Sequence, residues 1–187
     1  MSTTNTTRYA ILGLLTIQPM SGYDLRKHLG ESLNFFWAES NGQIYPALKK
    51  LVADEWIMPI KTHQRGRRTR QQYALTPVGR NQLKKWLAKP PHIQPPRNEL
   101  ILKLFLGRSA PNGALAQHVK AFKRRHEDVL GVLLNFRKTI PKDNARSADL
   151  DYWMLCLEHG IRLRQAEIEW SSVTLTRIAS TSTRNRR

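Results

Sequence analysis

Three things are scarce in this sequence of 187 residues: cysteine, acidic side chains and long apolar runs. The single Cys156 excludes an internal disulfide and a zinc site built from several cysteines. The clean apolar runs are far shorter than the ~20 residues that cross a bilayer. The polar start MSTTNTTRYA is unlike a secretory signal. We therefore expect a cytoplasmic protein without a membrane segment.

The shortage of acid leaves a large excess of positive charge. Lys and Arg number 31 against 14 Asp and Glu, which gives a net charge of +17 and a pI near 10.7. Such a chain attracts polyanions, so nucleic acid is the first partner to consider and an anionic membrane surface the second. Residues 1–89 carry 14 Lys/Arg and 5 Asp/Glu, net +9, and the remainder carries net +8. This even division keeps open a nonspecific nucleic-acid-binding or architectural protein as the alternative to a sequence-specific one.

Helix signals divide the first half. Residues 1–7 are expected to be a flexible tail, followed by an apolar helix over 8–17. Ser21 and Asp24 form a capping box for a second helix over 21–32. A third helix opens at the Ser40-x-x-Gln43 capping box, and its apolar residues recur at three- and four-residue steps.

Two extended runs follow, over 57–63 and 71–75, and they flank a basic segment. This pattern predicts a β-hairpin with a long tip. Thr76-Pro77 then starts a fourth helix, with Thr as cap and Pro at the first helical position. The order of three helices, basic hairpin and fourth helix predicts a winged helix-turn-helix DNA-binding domain over residues 1–89.

The second half is expected to be entirely helical, so the fold class is mainly α. We expect a proline-rich linker at 90–96, a helical dimerisation domain at 97–180 and a basic tail at 181–187. Two long helices are predicted at 112–140 and 149–178. A heptad-like seam runs along both, through Leu115, Val119, Phe122, His126, Val129, Leu133, Phe136 and Ile140, and through Leu150, Met154, Leu157, Ile161, Arg164, Ile168, Ser171, Leu175 and Ile178. Such helices pack on each other or on a partner chain, and we expect the seam to supply an apolar surface for a dimer.

Candidate DNA contacts come from the third helix and the hairpin tip. Ser40, Asn41 and Gln43 occupy the turn that reads base edges in the major groove, and Lys49 and Lys50 would meet phosphates. The tip residues Arg65, Arg67, Arg68 and Arg70 would neutralise phosphates or enter a minor groove. The plainer alternatives are a helix cap at Ser40, packing at Tyr45 and a solvated basic loop.

The first ninety residues resemble the PadR family of bacterial regulators. The matching strings are YAILGLL (9–15), SGYDL (21–25), Phe36-Trp37 with Ser40, QIYPALKKL (43–51) and QYALTPVG (72–79). The second half resembles the longer branch of that family, whose helical domain is shared with a virulence-gene activator. Arg97-Asn98-Glu99 and Arg164-Gln165-Ala166-x-Ile168-x-Trp170 carry that likeness.

The resemblance implies a homodimer, joined by its C-terminal helices, on a palindromic operator of double-stranded DNA. Most relatives repress, so a repressor is expected before an activator. Carried over by position, Tyr23, Ser40, Gln43, Tyr45 and Lys49 face DNA, and 65–70 form the wing. Pro46 stands where many relatives have a basic or polar residue, and as an early helix residue it is expected to cost little.

Other chemistry has little support, and we predict no enzyme, cofactor or metal site. Cys156 and His159 lie three apart on a helix, but the pair lacks an orienting group and an oxyanion site, so packing or a thiol redox role is favoured. His126 is interpreted as a core histidine, with a pH-responsive role as the alternative. Four aromatic residues, Trp37, Tyr152, Trp153 and Trp170, form a candidate pocket for a small aromatic effector, against plain packing.

Overall fold

The computed structural model describes residues 3–30, 41–60, 71–92 and 97–184, and the chain forms two compact units, residues 1–94 and 95–187. Each unit is described by itself. The elements of the first unit are α1 (Thr3–Ile17), β1 (Met20–Ser21), α2 (Gly22–His28), α3 (Asn41–Ala53), β2 (Ile57–Ile60), β3 (Gln72–Leu75) and α4 (Pro77–Leu87). Those of the second are α5 (Glu99–Phe105), a 3₁₀ turn (Gly107–Ser109), α6 (Ala114–Asp143) and α7 (Leu150–Arg184).

The first helix begins earlier than the sequence predicted. The expectation of a flexible tail over residues 1–7 is wrong from Thr3 onward, because Thr7 and Arg8 are buried. The Arg8 guanidinium forms an ion pair with Asp54 and lies 4.1 Å from the centroid of the Trp56 ring. These long-range contacts hold the polar end of α1 in helical form, which a local pattern cannot reveal.

Side-chain caps confirm the predicted starts of α2 and α4. The Asp24 amide donates to Ser21 Oγ, and the Ser21 amide donates to the Asp24 carboxylate, each at 3.2 Å. The Gly79 amide donates to Thr76 Oγ1 at 3.0 Å. Gly79 also permits a close approach of α4, since a Cβ there would lie 2.0 Å from the Trp56 carbonyl oxygen.

A three-stranded antiparallel sheet, in the order β1-β3-β2, joins these helices. The hairpin strands are paired as predicted, with Ile57 opposite Leu75 and Ile60 opposite Gln72. Strand β1 was not predicted; it pairs Met20 with Tyr73 and Ser21 with Gln72. The predicted tip lies outside the described residues.

One apolar core fills the first unit. Its buried members come from every helix of the unit and from β1 and β2: Ile11, Leu12, Leu15, Met20, Leu25, Leu29, Ile44, Ala47, Leu48, Leu51, Ile57 and Leu83. Tyr9 stacks on Trp86 at 4.8 Å between ring centroids and closes one side. The element order and the sheet confirm a winged helix-turn-helix within a mainly α chain.

The second unit consists of long helices, with bounds that differ from those predicted. Helix α6 continues to Asp143 and includes Pro141, and α7 extends from Leu150 to Arg184. Helix α6 packs against α7 within the same chain. Every predicted seam position is buried or half-buried, with Val119, Leu133 and Ile161 among the most enclosed. The seam therefore packs α6 against α7 inside one chain, which is the first of the two predicted arrangements, and its use as a dimer surface stays a prediction.

Candidate nucleic-acid interface

Helix α3 has one buried and one solvent-exposed face. Ile44, Leu48 and Leu51 are fully buried in the core. Tyr45 is 52% exposed, and Lys49 and Lys50 are also exposed. Because the apolar face is fixed to the rest of the unit, the outward face is presented on a rigid element, as recognition of DNA requires.

The start of α2 lies against this outward face. A Cβ at Gly22 would be 3.0 Å from Tyr45 Cε1 and 3.2 Å from Leu48 Cδ1, so the absence of a side chain lets the two helices approach. Tyr23 is 45% exposed, and the Arg26 guanidinium lies 5.4 Å from its ring centroid. The structure thus combines phenol hydroxyls and cations from two helices on one surface.

Part of the predicted site is placed and part is not. Tyr23, Tyr45, Lys49 and Lys50 are exposed, and Gln43 is half-buried. Ser40, the Asn41 side chain and the wing residues Arg65, Arg67, Arg68 and Arg70 lie outside the described residues. At the base of the hairpin, the Gln71 amide group donates to the Ile60 carbonyl at 3.1 Å.

The sequence analysis missed a basic group on α2. Arg26, Lys27 and His28 form its last turn and are exposed. Lys27 and His28 line a recess of about 370 Å³ together with Gln72 at the start of β3, next to the wing strands. The run of three consecutive basic residues in the sequence could have identified this group. Cations here extend the surface that can neutralise DNA phosphates.

Pro46 lies inside α3 rather than at its first position. It therefore removes the amide that would bond to the Gly42 carbonyl, which is a larger cost than the small one expected for an early helix residue. Gly42 and Pro46 are both exposed, so water can reach the freed carbonyl.

The structure does not gather the candidate effector residues within one chain. Trp37 lies outside the described residues. Tyr152 is 69% exposed, Trp153 is half-buried, and Trp170 meets Phe122 edge-on at 5.9 Å between centroids. Tyr152 and Trp153 precede Trp170 by 17 residues or more on α7, which is roughly 26 Å along a helix. One small molecule cannot touch both ends within a single subunit.

His126 lies in the seam as predicted. It is 8% exposed, packs 4.2 Å from the Phe122 ring centroid, and has Nδ1 3.5 Å from an Arg164 guanidinium nitrogen. Burial, followed by the positive charge of Arg164, lowers the pKa of His126. Cys156 and His159 are both exposed on α7.

The described residues contain neither a metal-binding cluster nor a membrane-spanning helix. In the ranges 3–30, 41–60, 71–92 and 97–184, no group of three or more His, Cys, Asp or Glu could hold a metal ion. No helix within those same ranges is long and apolar enough to cross a membrane.

Known proteins match both units. Residues 11–85 match the family described as "Transcriptional regulator PadR-like family", and residues 96–179 match "Virulence activator alpha C-term". The negative transcriptional regulator PadR of Bacillus subtilis is 37% identical over 99 residues, which is 52% of this chain and 54% of that protein. A probable transcriptional regulator of Mycobacterium tuberculosis is 27% identical over 175 residues, covering 87% of this chain and 92% of its own.

Solved structures match the fold over nearly the whole chain. B. subtilis PadR in complex with operator DNA has a TM-score of 0.79 at 27% identity, over 91% of this chain and 98% of that one. The same protein in complex with p-coumaric acid has a TM-score of 0.72 at 28% identity, over 92% and 98%.

Proposed function

We propose that this chain, in which residues 11–85 match the PadR-like family of transcriptional regulators and residues 96–179 match the virulence-activator C-terminal domain, is a sequence-specific repressor that binds a palindromic operator as a homodimer. The observation that carries the proposal is the divided α3, whose apolar face is buried while Tyr45 and Lys49 face outward beside Tyr23. The operator complex of a relative with the same fold supports DNA as the ligand.

Specific recognition is assigned to the exposed start of α3, and affinity to the cations around it. Gln43 can pair with a base edge, with a discrimination of ~1–3 kcal/mol. Lys49, together with Arg26 on α2, meets phosphates, and the wing adds further contacts. One such domain covers a short half-site, and a two-fold pair doubles the contacts.

The dimer surface that we propose is the outer face of α7. Tyr152, Leu155, Leu163 and Val173 are 69%, 69%, 42% and 55% exposed, on the side of α7 away from the buried Leu157 and Ile161. Helix α7 carries four acidic and four basic residues, whereas the chain as a whole is +17. Two copies that meet along this balanced helix avoid the repulsion that their other surfaces would produce.

This dimer would also bring together candidate effector residues that are far apart within one chain. If two α7 helices pair antiparallel through this face, Tyr152 of one subunit approaches Trp170 of the partner subunit. The complex of B. subtilis PadR with p-coumaric acid supports a small aromatic acid as the effector class. Its binding between subunits would alter the spacing of the DNA-binding domains and release the operator.

A gel-shift titration with the DNA upstream of the protein's own coding sequence tests the proposal. At ~0.2 M salt, where electrostatic binding alone is weak, we expect clear preference over a random duplex of equal length. Gln43→Ala should relax the preference at one base position, and Lys49→Ala should weaken binding to all sequences about tenfold. Lys85→Ala, an exposed lysine on α4, is the matched control. Equal affinity for both duplexes would leave only the nonspecific binder.

A further inference from the structure

The positive charge of the second unit is concentrated on one helix that the proposed DNA-reading surface does not include. Helix α6 contains seven Lys and Arg residues and three Asp and Glu residues. Helix α7 contains four of each. Helix α6 therefore supplies net +4 of the net +8 carried by residues 90–187.

Four of these cations share the outer side of α6. Lys120, Arg124, Lys138 and Lys142 are all exposed, and we name them the α6 cation row. Successive members are four, fourteen and four residues apart, and fourteen residues is close to four helical turns. The buried residues Val119, His126 and Leu133 occupy the other side, against α7.

The α6 cation row lacks internal counterions. Lys123 pairs with Glu127 at 3.7 Å, but within the described parts of the chain no carboxylate oxygen lies within 4.0 Å of a cationic nitrogen of the row. Lys120 with Arg124, and Lys138 with Lys142, are like-charged pairs at i,i+4, which weaken a helix. A helix that keeps two such pairs is suited to an external anion.

The geometry points to a second DNA contact: we propose that the α6 cation row binds the phosphate backbone of duplex DNA. This inference rests on the proposed DNA-binding function. The first and last members of the row are twenty-two residues apart, roughly 33 Å, which matches about ten phosphates along one strand. Glu127 and Asp128 lie between them, so contact is made at the two ends and is independent of sequence.

The same observations favour DNA over a membrane. A helix that binds a lipid surface inserts an apolar face between the headgroups. The apolar face of α6 is already covered by α7, and its Val119 and Leu133 are 0% and 3% exposed. A rigid rod with cations at both ends matches a regular phosphate array instead.

The test uses the full chain and a 40-base-pair random-sequence duplex over a range of salt concentrations. The test variant replaces all four members of the row: Lys120→Gln, Arg124→Gln, Lys138→Gln and Lys142→Gln. The plot of log K against log[salt] should become less steep by about 3–4, because each lost phosphate contact removes ~0.9 from the magnitude of the slope. The affinity of the variant at ~0.1 M salt should fall at least tenfold.

A matched control removes the same charge from other exposed positions of this unit: Arg97→Gln, Lys103→Gln, Arg108→Gln and Arg146→Gln. Its slope should change by less than 1. Equal slopes for the two fourfold variants would overturn the inference and leave the proposed function intact. A wild-type chain that binds no duplex would overturn both.

Three further measurements separate other causes. Binding to phosphatidylglycerol vesicles that is lost in the row variant, with an unchanged DNA slope, would assign the row to a membrane and overturn the inference. The variant should also melt slightly higher than wild type, since two repulsive pairs are gone. A triple Lys→Arg variant at 120, 138 and 142 should retain the wild-type slope.

Discussion

The two units bury their apolar residues in different ways. The first unit gathers short elements around one core of twelve buried apolar residues, and its buried Arg8 is paired with Asp54. The second unit places two long helices side by side, and its only buried apolar residues among those described are Val119, Leu133, Leu157 and Ile161. Its seam also contains His126 and Ser171. The first unit is therefore stabilised by its own core. The second unit depends on one narrow seam and on what covers its outer faces.

Ile161→Glu should have the largest effect, a loss of stability in the second unit. Ile161 is 1% exposed, so a carboxylate there has no water and no partner, and we expect a loss of about 4 kcal/mol from the second unit. Leu163→Glu, two residues away and 42% exposed, should leave the helices folded and produce monomers instead. Circular dichroism and sedimentation distinguish the two results. A folded, monomeric Ile161→Glu protein would mean that the seam joins subunits.

Leu51→Ala tests the other side of the comparison. Leu51 is fully buried in the core of the first unit, and its truncation should cost about 3 kcal/mol. The loss should appear in the transition of the first unit and leave that of the second unchanged. Hydrogen exchange followed separately for the two units measures this, with Val52→Ala, which is only half-buried, as a milder control. Equal loss in both units would contradict their independence.

Lowering the pH should have the smallest effect, a slight loss of stability in the second unit through His126. The pKa of His126 is lowered by burial and by Arg164, with Glu167 opposing and Arg125 adding to the effect. A base with a depressed folded pKa stabilises the fold fully above its unfolded pKa, near 6.5. That contribution is lost as pH falls below 6.5 toward the folded pKa, by at most about 1.4 kcal/mol per pH unit.

Thermal melts of the second unit between pH 7.5 and 5 measure this loss. His126→Leu should remove it, and His118→Leu, an exposed histidine on the same helix, should not. An unchanged pH dependence in His126→Leu would show that other groups cause it.

Local signals predicted most of the secondary structure. The Ser21–Asp24 box and the Thr76-Pro77 start mark helix ends through contacts within three residues, and the seam spacing identified both long helices. Contacts between distant residues could not be predicted. The ion pair of Arg8 with Asp54, which converts an expected tail to helix, and the two-residue strand β1 are of this kind.

The residues of the candidate site were likewise predictable only where local sequence determines their position. Lys49 and Tyr45 could be assigned to the exposed face because the apolar period of α3 fixes the opposite face. Arg26 lies beside Tyr23 because the two residues are three apart on α2, but the approach of α2 to Tyr45 depends on the contact of the two helices at Gly22, which no local pattern shows. A heptad pattern likewise shows that a face is apolar without showing whether the same chain or a partner chain covers it.

The packing of α1 has a consequence for synthesis on the ribosome. This helix contacts α3, β3 and α4, so the last of its partners is made about 70 residues after Ile17. At 5–20 residues per second, that interval is roughly 4–14 s. Ile11, Leu12 and Leu15 are without their cover throughout it, although they are enclosed in the finished fold. The nascent chain is therefore most exposed to aggregation and to chaperones before α4 has emerged, and α6 and α7 follow a domain that has already closed.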